Sequence, residues 1–204
     1  MITKNKDYQS VYTNWTSKFY IIWFTTISYV YPTVATKQTV FAQTTKPTTN
    51  FLPYVNSTYG IKLQYPSSWD KEENGTRQDT ETDVVTFYPP AVNSNTSLDI
   101  SIDNSSDEKG IALAQYASGS ISDLKQSLKN FKLVGLSTNS VLAGLPAYKS
   151  IYTYLGEKTI FKDIEIGAIK GNKVYILTYE AGLNEYNDYL PIIQKMIDSF
   201  GITK

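Results

Sequence analysis

Carboxylates are the side chains of this 204-residue chain best suited to chemistry, because it contains neither histidine nor cysteine. That rules out a Ser/His/Asp triad, a cysteine nucleophile, imidazole or thiolate metal ligation, and disulfides. Two acidic patterns stand out. Asp163 and Glu165 lie two apart in TIFKDIEIGAI, hence on one face of a strand, the nearest approach to the acid and nucleophile pair of a glycosidase. Alternating charges usually mark a strand face turned to water, and that is where both are expected. Asp99, Asp103, Asn104, Asp107 and Glu108 gather oxygen donors on a strand end and the following loop. Oxygen is what calcium prefers, with Asp99, Asp103 and Asp107 as its ligands, but the spacing is not that of an EF-hand and a solvated strand edge explains the set more simply. Asp79, Glu81 and Asp83 read as a solvated loop. No other cofactor is expected: GxGxxG and P-loop motifs are missing, and Ser67 and Ser68 have no activating base beyond Lys71, which sits in no supporting motif.

Tyrosine is abundant, at 17 residues, and Tyr148, Tyr152 and Tyr154 alternate along one strand. Such a row stacks on sugars or aromatic ligands, or else covers a sheet beneath a helix with its hydroxyls at the rim; the second placement is expected. Charge argues against a nucleic-acid partner. Whole-chain charge is zero, Arg77 is the single arginine, and Lys4, Lys6, Lys18 and Lys37 face only Asp7 before Gln43. Residues 43–204 therefore carry a net charge near minus three, without a basic footprint.

The elements that position these residues follow from periodicity. Ile61, Leu63 and Tyr65 alternate with Lys62 and Gln64, Val84 to Pro90 forms a second strand, and Leu98, Ile100 and Ile102 mark a third. An antiparallel meander of the three is the simplest pairing. Leu113, Ala117, Ile121, Leu124 and Leu128 then draw a helical stripe weakened by Gly119. Strands follow at 133–140, 146–155, 159–169 and 173–180, the last two joined by a tight Gly171-Asn172 link. The final strand is apolar on both faces and so central. A closing helix presents Tyr186, Tyr189, Leu190, Ile193, Met196, Ile197 and Phe200 on one face, with Pro191 expected in its first turn, Asn187 or Asp188 as its cap and Gly201 as its end. The class is α+β: an antiparallel sheet flanked by helices.

Upstream, Phe19–Tyr31 is an apolar run of signal-peptide length, short for a membrane span, and Val40 and Ala42 occupy a small-residue cleavage site before Gln43. Residues 1–42 thus read as a signal peptide or uncleaved signal anchor, 43–55 as a Thr/Pro-rich tether ordered from about Tyr54, and 56–204 as the domain. Asn56, Asn74, Asn95 and Asn104 head Asn-x-Ser/Thr sequons, candidate glycosylation sites on an exported surface.

YGIKLQYPSSWD, LAQYASGSISDLKQSLKNFKLV, VLAGLPAYKSIYTY and the closing MIDSFGI, between Tyr59 and Ile202, resemble the PsbP family, extrinsic proteins of the oxygen-evolving complex and their relatives outside photosynthesis. The resemblance implies an α/β/α sandwich shared with a Ran-binding nuclear import factor, and a non-catalytic binding character. Plant members bind the lumenal face of photosystem II and help it retain calcium and chloride. The leader and tether here do not resemble the family's photosystem-docking N-terminus, and the histidines that some members use for metals are missing, so no functional residue carries over. The expected function is a non-catalytic accessory domain at the outer face of a membrane, secreted or anchored by Phe19–Tyr31, with a protein or envelope component as partner. The alternatives are a carboxylate-dependent enzyme on cell-surface polymers and a structural envelope subunit.

Intact mass of the protein from its native host tests the export reading: a mature chain starting at Gln43 is expected, with glycan on at least one of the four sequons, and a chain that retains residues 1–42 would instead indicate an anchor.

Overall fold

A computed structural model describes residues 50–78, 81–90, 94–104 and 111–203, with backbone alone for 76–78. The export segment, the start of the tether, Asp79, Asp107 and Glu108 lie outside the described residues. The elements are β1 (Phe51–Asn56), β2 (Ile61–Pro66), β3 (Asp70–Glu72), β4 (Thr76–Gln78), β5 (Glu81–Tyr88), β6 (Thr96–Asp103), α1 (Leu113–Ser127), β7 (Lys132–Leu142), β8 (Leu145–Leu155), β9 (Ile160–Lys170), β10 (Lys173–Gly182), α2 (Tyr186–Ser199) and β11 (Gly201–Ile202). The main sheet runs β3-β5-β6-β10-β9-β8-β7, with β4 also on β5, and a small sheet runs β1-β2-β11. Every pairing between these strands is antiparallel. Among the described residues no helix is long and apolar enough to span a membrane.

The three-strand meander does not form. β5 and β6 pair as expected, but β2 pairs with β1 and β11 instead. Alternation fixes which way side chains face and leaves the partner open; the apolar side of β2, Ile61 and Leu63, joins the core that α2 closes. Order also starts earlier than the tether reading allowed, because β1 begins at Phe51.

One face of the main sheet is apolar. Leu98, Ile100 and Ile102 of β6, Ile164 and Ile166 of β9, and Leu177 and Tyr179 of β10 pack there with Ile193, Met196 and Ile197 of α2. Each such side chain stabilises the fold by about 1.5–3 kcal/mol when fully buried. Central β10, between β6 and β9, is covered on both sides as its sequence implies. Pro191 departs from expectation: it lies inside α2, which starts at Tyr186 after Glu185, and no side chain caps it. A proline there costs about 3 kcal/mol. Burial of Tyr186 accounts for the early start: its ring stacks on Tyr179 at 5.2 Å, Lys162 Nζ lies 4.0 Å from its centroid, and its carbonyl accepts from the Tyr179 hydroxyl at 2.8 Å. Nor does Gly201 terminate α2 in a left-handed turn. Phe200 is already extended, and Gly201 enters β11 opposite Lys62.

Ile197 is buried and Lys195 is exposed on the same helix. Ile197→Asp should therefore cost roughly 3–5 kcal/mol by burying an unpaired charge, against less than about 1 kcal/mol for Lys195→Asp. Thermal denaturation of the two variants measures the difference, and equal melting temperatures would contradict this packing.

Candidate functional site

The opposite face of the main sheet is polar although it is covered. Register brings Asp99, Ser101 and Asp103 of β6, Thr178 and Glu180 of β10, Asp163, Glu165 and Gly167 of β9, and Tyr148, Ser150, Tyr152 and Tyr154 of β8 onto it. Helix α1 lies over this face toward β7 and β8. Its stripe is confirmed, but only Ala117 is fully buried. Between α1 and the sheet runs a cleft of about 830 Å³ whose lining includes Glu81, Asp103, Asp123, Asp163, Glu165 and Glu180. No described residue lining it is lysine or arginine.

Asp163 and Glu165 do not face water, contrary to expectation; they are only 3% and 7% exposed. What makes burial tolerable is hydrogen bonding, largely from tyrosine. Tyr148 Oη donates to Glu165 Oε1 at 2.6 Å, and Ser120 Oγ of α1 donates to the same oxygen at 2.8 Å. The Tyr152 hydroxyl bonds Asp163, and that of Tyr154 donates to Glu180 Oε2. Tyr116 Oη of α1 reaches Asp103 Oδ2 at 2.8 Å, and Ser101 Oγ reaches Glu81 Oε1 at 2.5 Å. The tyrosine row thus does cover the sheet, but its hydroxyls turn to carboxylates rather than to the rim. Gly167 makes one of these bonds feasible: it pairs with Tyr148, and a Cβ there would stand 2.4 Å from the ring.

Burial raises the pKa of all four of these tyrosines, so they remain donors. Asp163 is pushed up to about 8, first by burial and then by the charge of Glu180, with the Tyr152 bond opposing. Glu165 is likewise raised by burial against the Tyr148 and Ser120 bonds. Asp99 rises to about 6, by burial and then the charges of Asp83 and Glu81, while Thr86 donates to its Oδ1 at 2.7 Å. Among the described residues, two buried side-chain atoms on this face have no hydrogen-bond partner, Asp163 Oδ1 and Ser150 Oγ.

Of the calcium set, Asp99 and Asp103 share the polar face, and Asp107 is outside the described residues. Among the described residues no three acidic side chains converge as a metal site. Asn74 and Asn95 are exposed, Asn56 and Asn104 half-buried; Asn56 Oδ1 accepts from the amides of Thr58 and Tyr59, and Asn74 Nδ2 donates to Thr86 Oγ1. Glu81 and Asp83, read as loop, belong to β5. Sequence reasoning missed Glu81, Glu180, Tyr116 and Ser120 as site residues; strand register and the seat of α1 bring them in, and no local pattern marks either.

A family model described as PsbP-like protein matches residues 19–202. The chain belongs to the PsbP-like family. Among solved structures, cyanobacterial PsbP (CyanoP) from Synechocystis sp. PCC 6803 is similar to this PsbP-like chain with a TM-score of 0.58 at 13% identity, over 78% of this chain and 95% of its own. LpqN of Mycobacterium tuberculosis is similar with a TM-score of 0.56 at 16% identity, over 76% of this chain and 91% of its own. Both share the fold. No curated protein matches in sequence.

Stability should depend on pH through Asp163. Its folded pKa of about 8 exceeds the ordinary 3.8, so the stability it contributes is complete below pH 4 and is lost as pH rises through 8. Asp163→Asn, neutral throughout, should melt close to the unmodified protein at pH 4 and above it at pH 8.5. Differential scanning calorimetry across this range checks it; a variant that melts lower at both pH values by the same amount would mean that Asp163 is folded in its charged form.

Proposed function

We propose that this PsbP-like protein is an exported, non-catalytic accessory domain that works at the outer face of a membrane and holds a protein or envelope partner in the cleft beneath α1. The observation that carries this reading is the cleft itself: acidic side chains line a space large enough for a ligand, and tyrosine hydroxyls hold Glu165 and Glu180 in place. Such bonds fix a recognition surface, but they leave little freedom for proton transfer. Gly119 supports an open cleft. It lines the space, and a Cβ there would meet nothing within 4 Å, although glycine weakens a helix by about 1 kcal/mol relative to alanine. Export is supported by Phe19–Tyr31 and the Val40-Phe41-Ala42 site, and LpqN, of the same fold, is described as involved in cell envelope biogenesis.

Hydrolysis of cell-surface polymers is the second reading. It is favoured by Asp163, a carboxylic acid still protonated near neutrality, as a general acid would be. Against it, Glu165, the acid two residues along the same strand, is buried with two donors on one oxygen, a poor nucleophile.

Surface crosslinking in the native host distinguishes the two. Gly119→Trp should fill the cleft without unfolding α1 and abolish a crosslinked partner that Lys195→Asp retains. Undiminished crosslinking in Gly119→Trp would overturn the cleft as the binding surface, and turnover of envelope polysaccharide lost in folded Asp163→Asn would overturn the non-catalytic reading.

A further inference from the structure

The two ends of the cleft share an unusual feature: like charges stand directly opposite one another on adjacent strands. Glu81 of β5 is the register partner of Asp103, and Asp163 of β9 is that of Glu180. Opposed residues hold their Cβ atoms about 4.5–5.5 Å apart, and like charges so placed destabilise a sheet. Val174, opposite Asp103, and Glu180 are six residues apart on β10, so the two pairs are separated by about 20 Å along the strand. At the Asp163 end no positive charge offsets the repulsion. Neither Asp163 nor Glu180 has a lysine or arginine within ion-pair distance among the described residues. Tyr152 and Tyr154 each satisfy one carboxylate, yet Asp163 Oδ1, on a side chain 3% exposed and lining the cleft, has no partner at all. A buried carboxylate oxygen without a donor is costly, and here the missing donor corresponds to a ligand group.

We propose that the cleft takes a protonated amine or guanidinium, a lysine or arginine side chain of the bound partner, seated between Asp163 and Glu180 with its N–H groups donated to Asp163 Oδ1. The inference rests on the cleft being the binding surface. Its volume, about 830 Å³, suits an organic side chain rather than a bare ion, and the acids are spread along it without three converging to coordinate a metal. Tyrosine adds to the fit, since Tyr116, Tyr152 and Tyr154 line the cleft and cations favour aromatic walls.

Seating the cation changes protonation. The groups facing Asp163 are Glu180 of β10, Glu165 on its own strand, and Tyr152 and Tyr154 of β8, with Asp123 of α1 on the same cleft. None supplies a positive charge, so near neutrality the Asp163 carboxyl holds a proton. An arriving ammonium keeps its own protons; the carboxyl releases one to solvent and becomes the counterion.

Isothermal titration calorimetry of the purified full chain with tetralysine, in two buffers of different ionisation heat, tests this. Tetralysine should bind and release about one proton at pH 7, falling toward none above pH 9. Asp163→Asn should abolish the release and weaken binding at least tenfold, Glu180→Gln should weaken it similarly, and Asp198→Asn on the exposed face of α2 should change neither. Binding of calcium chloride without binding of tetralysine would overturn the proposal, as would tetralysine binding unchanged in both cleft variants. A partner whose crosslinking is lost in Gly119→Trp while tetralysine does not bind would sink this inference alone; a partner indifferent to Gly119→Trp would sink the reading beneath it.

Discussion

Much of this structure depends on placing ionisable oxygens on a sheet face that is covered. A carboxylate removed from water needs hydrogen bonds or a counter-charge, or else it keeps its proton. Tyrosine provides the bonds here because its ring spans the width of a strand while burying apolar area, and its hydroxyl arrives at the neighbouring acid. The backbone follows suit. Gly167 gives the Tyr148 ring a flat seat, and Ser120 adds the donor from above that fixes α1 over Glu165. Networks of this kind specify an arrangement more than they strengthen it, since removing one member strands another.

The two faces of the sheet therefore divide the work. Aliphatic burial under α2 and the small sheet supplies most of the cohesion, through residues such as Leu98, Ile100, Leu177 and Ile193 that exclude solvent entirely. The α1 side is held more lightly: one fully buried residue, no side-chain cap, and hydroxyl bonds from Tyr116 and Ser120. Elements with few buried apolar contacts open at lower free energy than the core. The α1 side can therefore open while the packing opposite stays closed.

Most of this architecture is legible in the sequence, and the exceptions share a cause. The stripes of both helices, the Gly171-Asn172 hairpin and the central position of β10 follow directly from period and turn chemistry. Alternation reports only that successive side chains face opposite ways. It could not show that the face bearing Asp163 and Glu165 is roofed by α1, because a roofed polar face and a wet one have the same pattern. The partner of β2 was hidden for a related reason: β11, which flanks it, is two residues long and leaves no periodic trace. Pro191 misled because a proline rule is local, whereas the Tyr179–Tyr186 contact that extends α2 past it joins two elements.

The small sheet has a mechanical side. Its outer strands are β1 and β11, and the amide of Thr203 is bonded to the Gly60 carbonyl at 2.7 Å, so residues 50 and 203 both leave the domain from this sheet, away from the cleft. A pull on the chain ahead of residue 50 loads the β1 edge first. The six register pairs from Phe51–Pro66 to Asn56–Ile61 can then part like a zipper while the main sheet stays whole, which makes β1 the mechanical fuse of the domain.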